Sequence, residues 1–260
     1  MTWKILVISI LFLGILGGGW WYWKTKLWNG RTRFTVVSLG DEIKIKSFDP
    51  TTALGVEIVL PSKLIISSVA GRGEWRADKI SQAGKSGWVV DSLVNTLGLR
   101  ILSEENRLPL IDKILWQWWN RKVVWKQVDV SLLGYLISET TSDGEKVYRL
   151  SGAWDKYVSD SLSSVVIAKN GMNVIIVNTT GEVGLGASAS RLVESMGLRV
   201  IEINSSENHL EKCTVNSRKE IKNSIEVVSL ISAFGCEWKE DTGDNLRLEL
   251  GESYRKWRDG

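Results

Sequence analysis

The sequence predicts an α/β protein: an N-terminal transmembrane helix, an α/β domain, and a small βαβ-type C-terminal domain. Three observations carry this. Ile5 to Trp23 is a run of 19 residues without a charge. At 1.5 Å rise per residue it spans roughly 28 Å, about the hydrocarbon thickness of a bilayer. Asn173 to Asn204 reads as strand, Gly-punctuated turn, amphipathic helix and strand. Between these two segments, short β-branched runs alternate with helical-period segments. At 260 residues, 43% hydrophobic and 24% charged, the chain has an ordinary globular composition and the length for two domains.

Taken in order, residues 1–4 form an N-terminal tail and 5–23 the anchor, with Trp3 at one end and Trp20, Trp21, Tyr22, Trp23 and Trp28 at the other, like interfacial aromatic belts. No small-x-small cleavage site follows the run, which favours an uncleaved anchor over a signal peptide. Residues 24–33 read as a linker. A first domain over 34–168 opens with strands at Phe34–Leu39, Ile43–Phe48 and Val56–Leu60 and carries a helix over Val89–Leu99. Leu108, Ile111, Leu115, Trp118 and Trp119 fall on one helical face and predict core, leaving Trp116 and Trp125 as surface candidates. That bland account of an aromatic run interleaved with Arg121, Lys122 and Lys126 competes with stacking of bases or sugars and with a membrane surface. No nucleic-acid partner is expected.

The C-terminal domain is 169–260; Gly152, Gly171 and the polar residues between them mark the boundary. Val174 to Val177 suits a buried strand, and Leu185, Ala189, Leu192, Val193 and Met196 stripe one helix that Gly197 caps. A strand over Arg199–Ile203 follows. Next come a short strand near Lys212–Val215, a helix over 218–234 opened by the capping-box pattern Ser217-Arg218-Lys219-Glu220, and a last strand over Leu246–Leu250.

Charge says little. The net charge is +3, and residues 171–260 hold 11 Lys/Arg against 14 Asp/Glu, leaving 22 against 16 before them. Such an excess is usual for a solvated surface. The cations Lys24, Lys26, Arg31 and Arg33 follow the apolar run, and by the positive-inside rule they keep the body in the cytoplasm.

Two ligand chemistries fit the segment after Val177. Gly184, Gly186 and Ala189 match G-x-G-x-x-A, and Glu202 stands where a dinucleotide fold places its ribose-binding acid. Five residues, Thr179 to Val183, separate the strand and Asn178 from that first glycine, and only 58 residues follow Glu202, too few for the remaining units of a dinucleotide domain. Alternatively, Gly181 and Gly184 serve only to turn the chain.

Residues 171–254 also resemble the C-terminal domain of LytR-type cell-envelope proteins, through Asn178, Thr179-Thr180-Gly181, Gly184-Leu185, the helix, Gly197 and the strand. The resemblance implies ligand binding at Asn178, Thr179, Thr180, Gly181, Gly184 and Leu185, and an exported body despite the charge bias. Gly40-Asp41, Asp49-Pro50 and the helix ending VNTLGL resemble a LytR-CpsA-Psr domain. Members of that family bind a polyprenyl-pyrophosphate-linked glycopolymer and transfer it to peptidoglycan, with arginines holding pyrophosphate and carboxylates holding Mg²⁺. Here Ser62-Lys63 replaces the family's Arg-Asp after Pro61, and the Arg-Ser-Asp-Thr and Arg-Gln segments are missing. Asp41, with Arg72, remains as a vestige of phosphate or metal binding. The resemblance therefore implies a degenerate domain with no catalytic residue and no cofactor, Mg²⁺ entering only if transferase activity persists. The expected partners are the lipid bilayer and peptidoglycan, an anionic wall polymer or an envelope protein.

Other chemistry is thin. His209 is the sole histidine, and Ala83-Gly84-Lys85-Ser86 lacks the first glycine of a P-loop. Glu104-Glu105 and Asp155 with Asp160 read as solvated charges. Cys213 and Cys236 are the only cysteines; they are either a disulfide, expected outside the cytoplasm, or two buried thiols.

Overall fold

The computed structural model describes residues 26–83, 86–131 and 134–259. The expected tail and the anchor over 5–23 lie outside them. Among the described residues no helix is long and apolar enough to cross a membrane. The rest is a mixed α/β fold built on two five-stranded sheets and two hairpins.

The first sheet runs β6-β1-β2-β3-β7, from β1 (Phe34–Ser38), β2 (Lys44–Asp49), β3 (Leu54–Val59), β6 (Ser103–Glu104) and β7 (Val124–Asp129). The three opening strands form an antiparallel meander, flanked by parallel β6 and β7. Hairpin β4 (Ile65–Ser67) with β5 (Glu74–Arg76) leads through the single turn α1 (Ala77–Ile80) to α2 (Ser86–Leu97). Helix α3 (Leu110–Asn120) follows Pro109, whose fixed φ suits the position before a helix. A second hairpin, β8 (Leu136–Thr140) with β9 (Lys146–Leu150), then precedes α4 (Gly152–Ser161) and α5 (Val165–Asn170).

The second sheet runs β11-β10-β14-β12-β13, from β10 (Asn173–Asn178), β11 (Arg199–Ser205), β12 (Thr214–Ser217), β13 (Glu237–Glu240) and β14 (Leu246–Leu250). Helix α6 (Leu185–Ser195) crosses from β10 to parallel β11, and α7 (Ile225–Phe234) from β12 to parallel β13. β14 returns between them, parallel to β10 and antiparallel to β12. Helix α8 (Glu252–Asp259) closes the chain.

One buried cluster, from Val37 and Ile45 through Leu93, Trp154 and Ile167 to Val174, Leu192 and Leu248, serves both sheets. Helices α4 and α5, within the expected boundary region 152–171, contribute Trp154, Val158 and Ile167 to that cluster. Trp154 is fully buried, and its indole N–H donates to Leu97 O at 2.9 Å. A smaller cluster under the first sheet gathers Trp28, Phe34, Phe48 and Trp116. Trp28 thus makes the described part of the expected linker a piece of the body, with its indole N–H bonded to Thr32 O at 2.7 Å.

Two elements depart from the sequence expectation. The inward face of α3 is Asp112 and Trp116, not Trp118; Trp116 is 2% exposed and Trp118 49%. The indole N–H of Trp116 donates to Glu105 at 2.9 Å, which sets the helix's rotation. Helix α7 starts at Ile225 rather than near 218: Ser217 ends β12, its hydroxyl accepting from the Trp238 indole at 2.9 Å, and Lys219–Ile221 form a separate 3-10 turn. Ser224 caps the helix instead, accepting from Val227 N.

Candidate functional site

Strands β10 and β14 run parallel and end together at Asn178 and Leu250, with the crossovers α6 and α7 joining strands on opposite sides of the pair. Such a switch point is where open α/β sheets bind ligands. The residues the sequence singles out stand there, but their polar groups are already used. Asn178 donates to Glu182 O at 2.7 Å and accepts from the backbone and hydroxyl of Thr180. Thr179 Oγ1 donates to Leu250 O at 2.7 Å and accepts from Leu210 N. Leu185 is fully buried. Gly184 holds φ +84° at the head of α6, and a Cβ on Gly186 would meet Ile203 Cγ2 of β11 at 2.6 Å. The glycine spacing is therefore consumed by a turn and by close helix–strand packing. Glu202 lies exposed in the middle of β11 rather than at its end, which removes the ribose-binding geometry. Thr180, Gly181 and His209 face a broad open cleft of about 690 Å³, shared with Glu211, Glu252 and Lys256.

Asp41 enters a second cleft, of about 220 Å³, together with Glu42, Asp78 and Asp129. Among the described residues no lysine or arginine lines it. Asp78 is bound by Arg76, and Asp129 caps Ser131 N at 2.8 Å. Arg72 is not part of this cleft; its guanidinium stacks over Trp88, 5.0 Å from the ring centroid. Among the described residues, no three or more His, Cys, Asp or Glu side chains are grouped to hold a metal ion. A Mg²⁺–pyrophosphate pair needs cations converging on the phosphates, so the residues here do not fit that group.

The third cleft, about 460 Å³, is lined by helices and by the two hairpins, and was not anticipated from sequence. Arg149 and Ser151 line it from the end of β9, Asn95 and Thr96 from the C-terminal turn of α2, and Ser188 and Arg191 from α6, the helix that follows the turn at Gly184. Arg191 is its brace. The guanidinium donates to Asp155 of α4 at 2.8 Å and to Thr96 O at 3.0 Å, completing carbonyls that the end of α2 leaves open. Arg149 forks onto both Glu74 oxygens at 2.6 Å and reaches Glu139 at 2.7 Å. Those bonds raise the Arg149 pKa and lower that of Glu74. Burial, with Asp155 nearby, raises the Glu194 carboxyl. Arg149 and Arg191 therefore carry compensated charge, and with Arg258, Asp155, Ser67, Asn95, Ser151 and Ser188 they line a surface of guanidinium, carboxylate, amide and hydroxyl groups. Such a lining offers both donors and acceptors to a hydroxylated ligand. Its residues come from five separate segments, so no spacing in the sequence announces it.

No family model matches the chain, and no curated protein matches it. Among solved structures it is similar to B. subtilis TagT, at 10% identity over 68% of this chain and 79% of that one, TM-score 0.26. B. subtilis TagU stands at 12% identity over 78% and 97%, TM-score 0.23. B. subtilis TagV stands at 11% over 89% and 96%, TM-score 0.23.

Cys213 and Cys236, both buried, form a disulfide with Cα atoms 4.6 Å apart. It joins the residue before β12 to the residue before β13, beside the hydrogen bond from Glu237 N to Cys213 O.

Proposed function

We infer that this chain is a membrane-anchored cell-envelope protein that binds a hydroxylated wall glycan and does not transfer one. The cleft lined by α2, α4, α6 and the end of β9 carries the reading, because its walls of Ser, Asn and Arg offer many hydrogen-bonding groups, with Arg149 and Arg191 paired to carboxylates. The acidic lining around Asp41 supports the non-catalytic half, since among the described residues the cleft is lined by carboxylates and by no lysine or arginine that would converge on a pyrophosphate. A buried disulfide suits an oxidising location outside the cytoplasm. The apolar run 5–23 supplies the anchor, and the resemblance of residues 171–254 to LytR-type domains supplies the envelope.

Retention on purified peptidoglycan tests the site. Ser188→Tyr, which fills the cleft, is expected to weaken retention at least about tenfold, equivalent to about 1.4 kcal/mol, while Thr180→Ala at the switch point leaves it unchanged. The reverse pattern moves binding to the loop at Asn178, Thr179, Thr180 and Gly181. Equal retention of both variants and the parent overturns the cleft as the binding site. The alternative function, a phosphotransferase that attaches polyprenyl-pyrophosphate-linked glycopolymer to peptidoglycan, is supported only by the resemblance around Asp41.

A further inference from the structure

Helix α3 turns an apolar stripe outward. Leu110, Ile114 and Trp118, spaced four residues apart, are 65%, 55% and 49% exposed. That spacing puts them on one face. Lys113 and Gln117 lie exposed along one side of it, and Arg121 and Lys122 follow at its end, with Lys122 Nζ 3.5 Å from the centroid of the Trp118 ring. The helix's one carboxylate, Asp112, is buried. Beyond the helix, exposed Val124 pairs in register with exposed Leu54. An amphipathic helix with aromatic and aliphatic residues on one face and lysines beside them is the pattern that lies in a membrane interface.

The chain itself says what covers this face. Leu27 N donates to Asp112 Oδ2 at 2.8 Å, so the body begins at α3. Four residues carry the chain from Trp23, the end of the apolar run, to Leu27. At ~3.5 Å per residue they reach at most about 14 Å, whereas one headgroup layer is roughly 5–7 Å thick. A spanning 5–23 segment therefore holds α3 within a short distance of the lipid, and the hydrogen bond to Asp112 together with the buried Trp28 fixes how it is presented.

The geometry points to α3 lying along an anionic lipid surface, with Leu110, Ile114 and Trp118 in the interface and Lys113, Arg121 and Lys122 at the headgroups. This rests on the reading of 5–23 as an anchor. The anchored body is then held against the bilayer in one orientation rather than swinging on a tether.

The test uses the full chain carrying Ile114→Cys, labelled with a nitroxide without reductant, in vesicles of three parts phosphatidylcholine to one part phosphatidylglycerol. Val183→Cys, at a 90% exposed position in the other half of the molecule, is the reference. The expected result is flotation of both proteins, with the Ile114 label several-fold more accessible to oxygen and less accessible to a water-soluble nickel chelate than the Val183 label. Trp118→Glu in the same chain should abolish that difference. Flotation with both labels equally open to the chelate overturns the docking and leaves the anchor standing. Dipolar broadening between Ile114 labels assigns the face to a second copy of the chain and also overturns it. A chain that does not float overturns anchor and docking together.

Discussion

The two halves of the molecule use their most distinctive residues in opposite ways. In the C-terminal half, Asn178, Thr179, Gly184 and Gly186 look from sequence like a ligand motif. They are spent on structure: two side chains hold the turn between β10 and α6, one glycine supplies a left-handed backbone, and another lets a helix approach a strand. In the N-terminal half Trp118 looks like core and Trp116 like surface, yet helix α3 reverses the two. Trp116 is buried against Phe34 and Phe48, and Trp118 faces outward over a lysine. A conspicuous residue pattern thus reports a local constraint; whether that constraint is packing or recognition is decided by which hydrogen bonds and faces remain open.

The division within α3 gives the largest expected effect. Trp116→Ala should cost about 3–5 kcal/mol in denaturant unfolding, as for other buried tryptophans, whereas Trp118→Ala should stay within about 0.5 kcal/mol. Equal losses would erase the distinction between the helix's two faces. In the C-terminal half, replacing both Cys213 and Cys236 with serine should cost about 3 kcal/mol, by chain entropy for a separation of 23 residues. Protein isolated without reductant should contain no titratable thiol.

Arg191 links the halves, and Arg191→Ala should cost about 1–2 kcal/mol, since it removes charge-assisted bonds to Asp155 and to the end of α2. No loss would mean that the halves are held by apolar contact alone. The smallest effect is one of pH. The hydrogen bond from Arg149 lowers the Glu74 pKa below its usual 4.5. Its stabilising contribution is therefore present above that value and disappears as pH falls through the lowered one. The stability difference between the parent and Glu74→Gln should shrink on acidification; because Glu74 is half exposed, the difference is small.

Much of the fold was legible because hydrophobic period survives tertiary context. Strand β14 falls on Leu246–Leu250 as expected, and β1 to β3 fall within two residues of the apolar runs that predict them. Helix α6 and Gly197 behave likewise, with Gly197 in a left-handed conformation. What failed depends on long-range partners. Ser217 opens no helix: it ends β12, its hydroxyl accepting from the indole of Trp238, 21 residues later. Trp118 faces out because Glu105 and the aromatic cluster claim Trp116. The cleft around Arg191 was invisible for a similar reason: Asn95, Arg149, Ser151 and Arg191 share no spacing and meet only when α2, β9, α4 and α6 pack together. Asp41 was found, but its acidic surroundings come from Asp78 and Asp129, far away in sequence.

The central claim is that the protein binds wall glycan without transferring it. Full-length chain in vesicles containing polyprenyl-pyrophosphate-linked glycopolymer, mixed with peptidoglycan and MgCl₂, tests this most directly through the release of polyprenyl pyrophosphate. The account predicts that the chain retains peptidoglycan while release stays at the level without protein, with or without Mg²⁺. Mg²⁺-dependent release above that level, lost in Asp41→Asn, would contradict it and make the acidic cleft an active site.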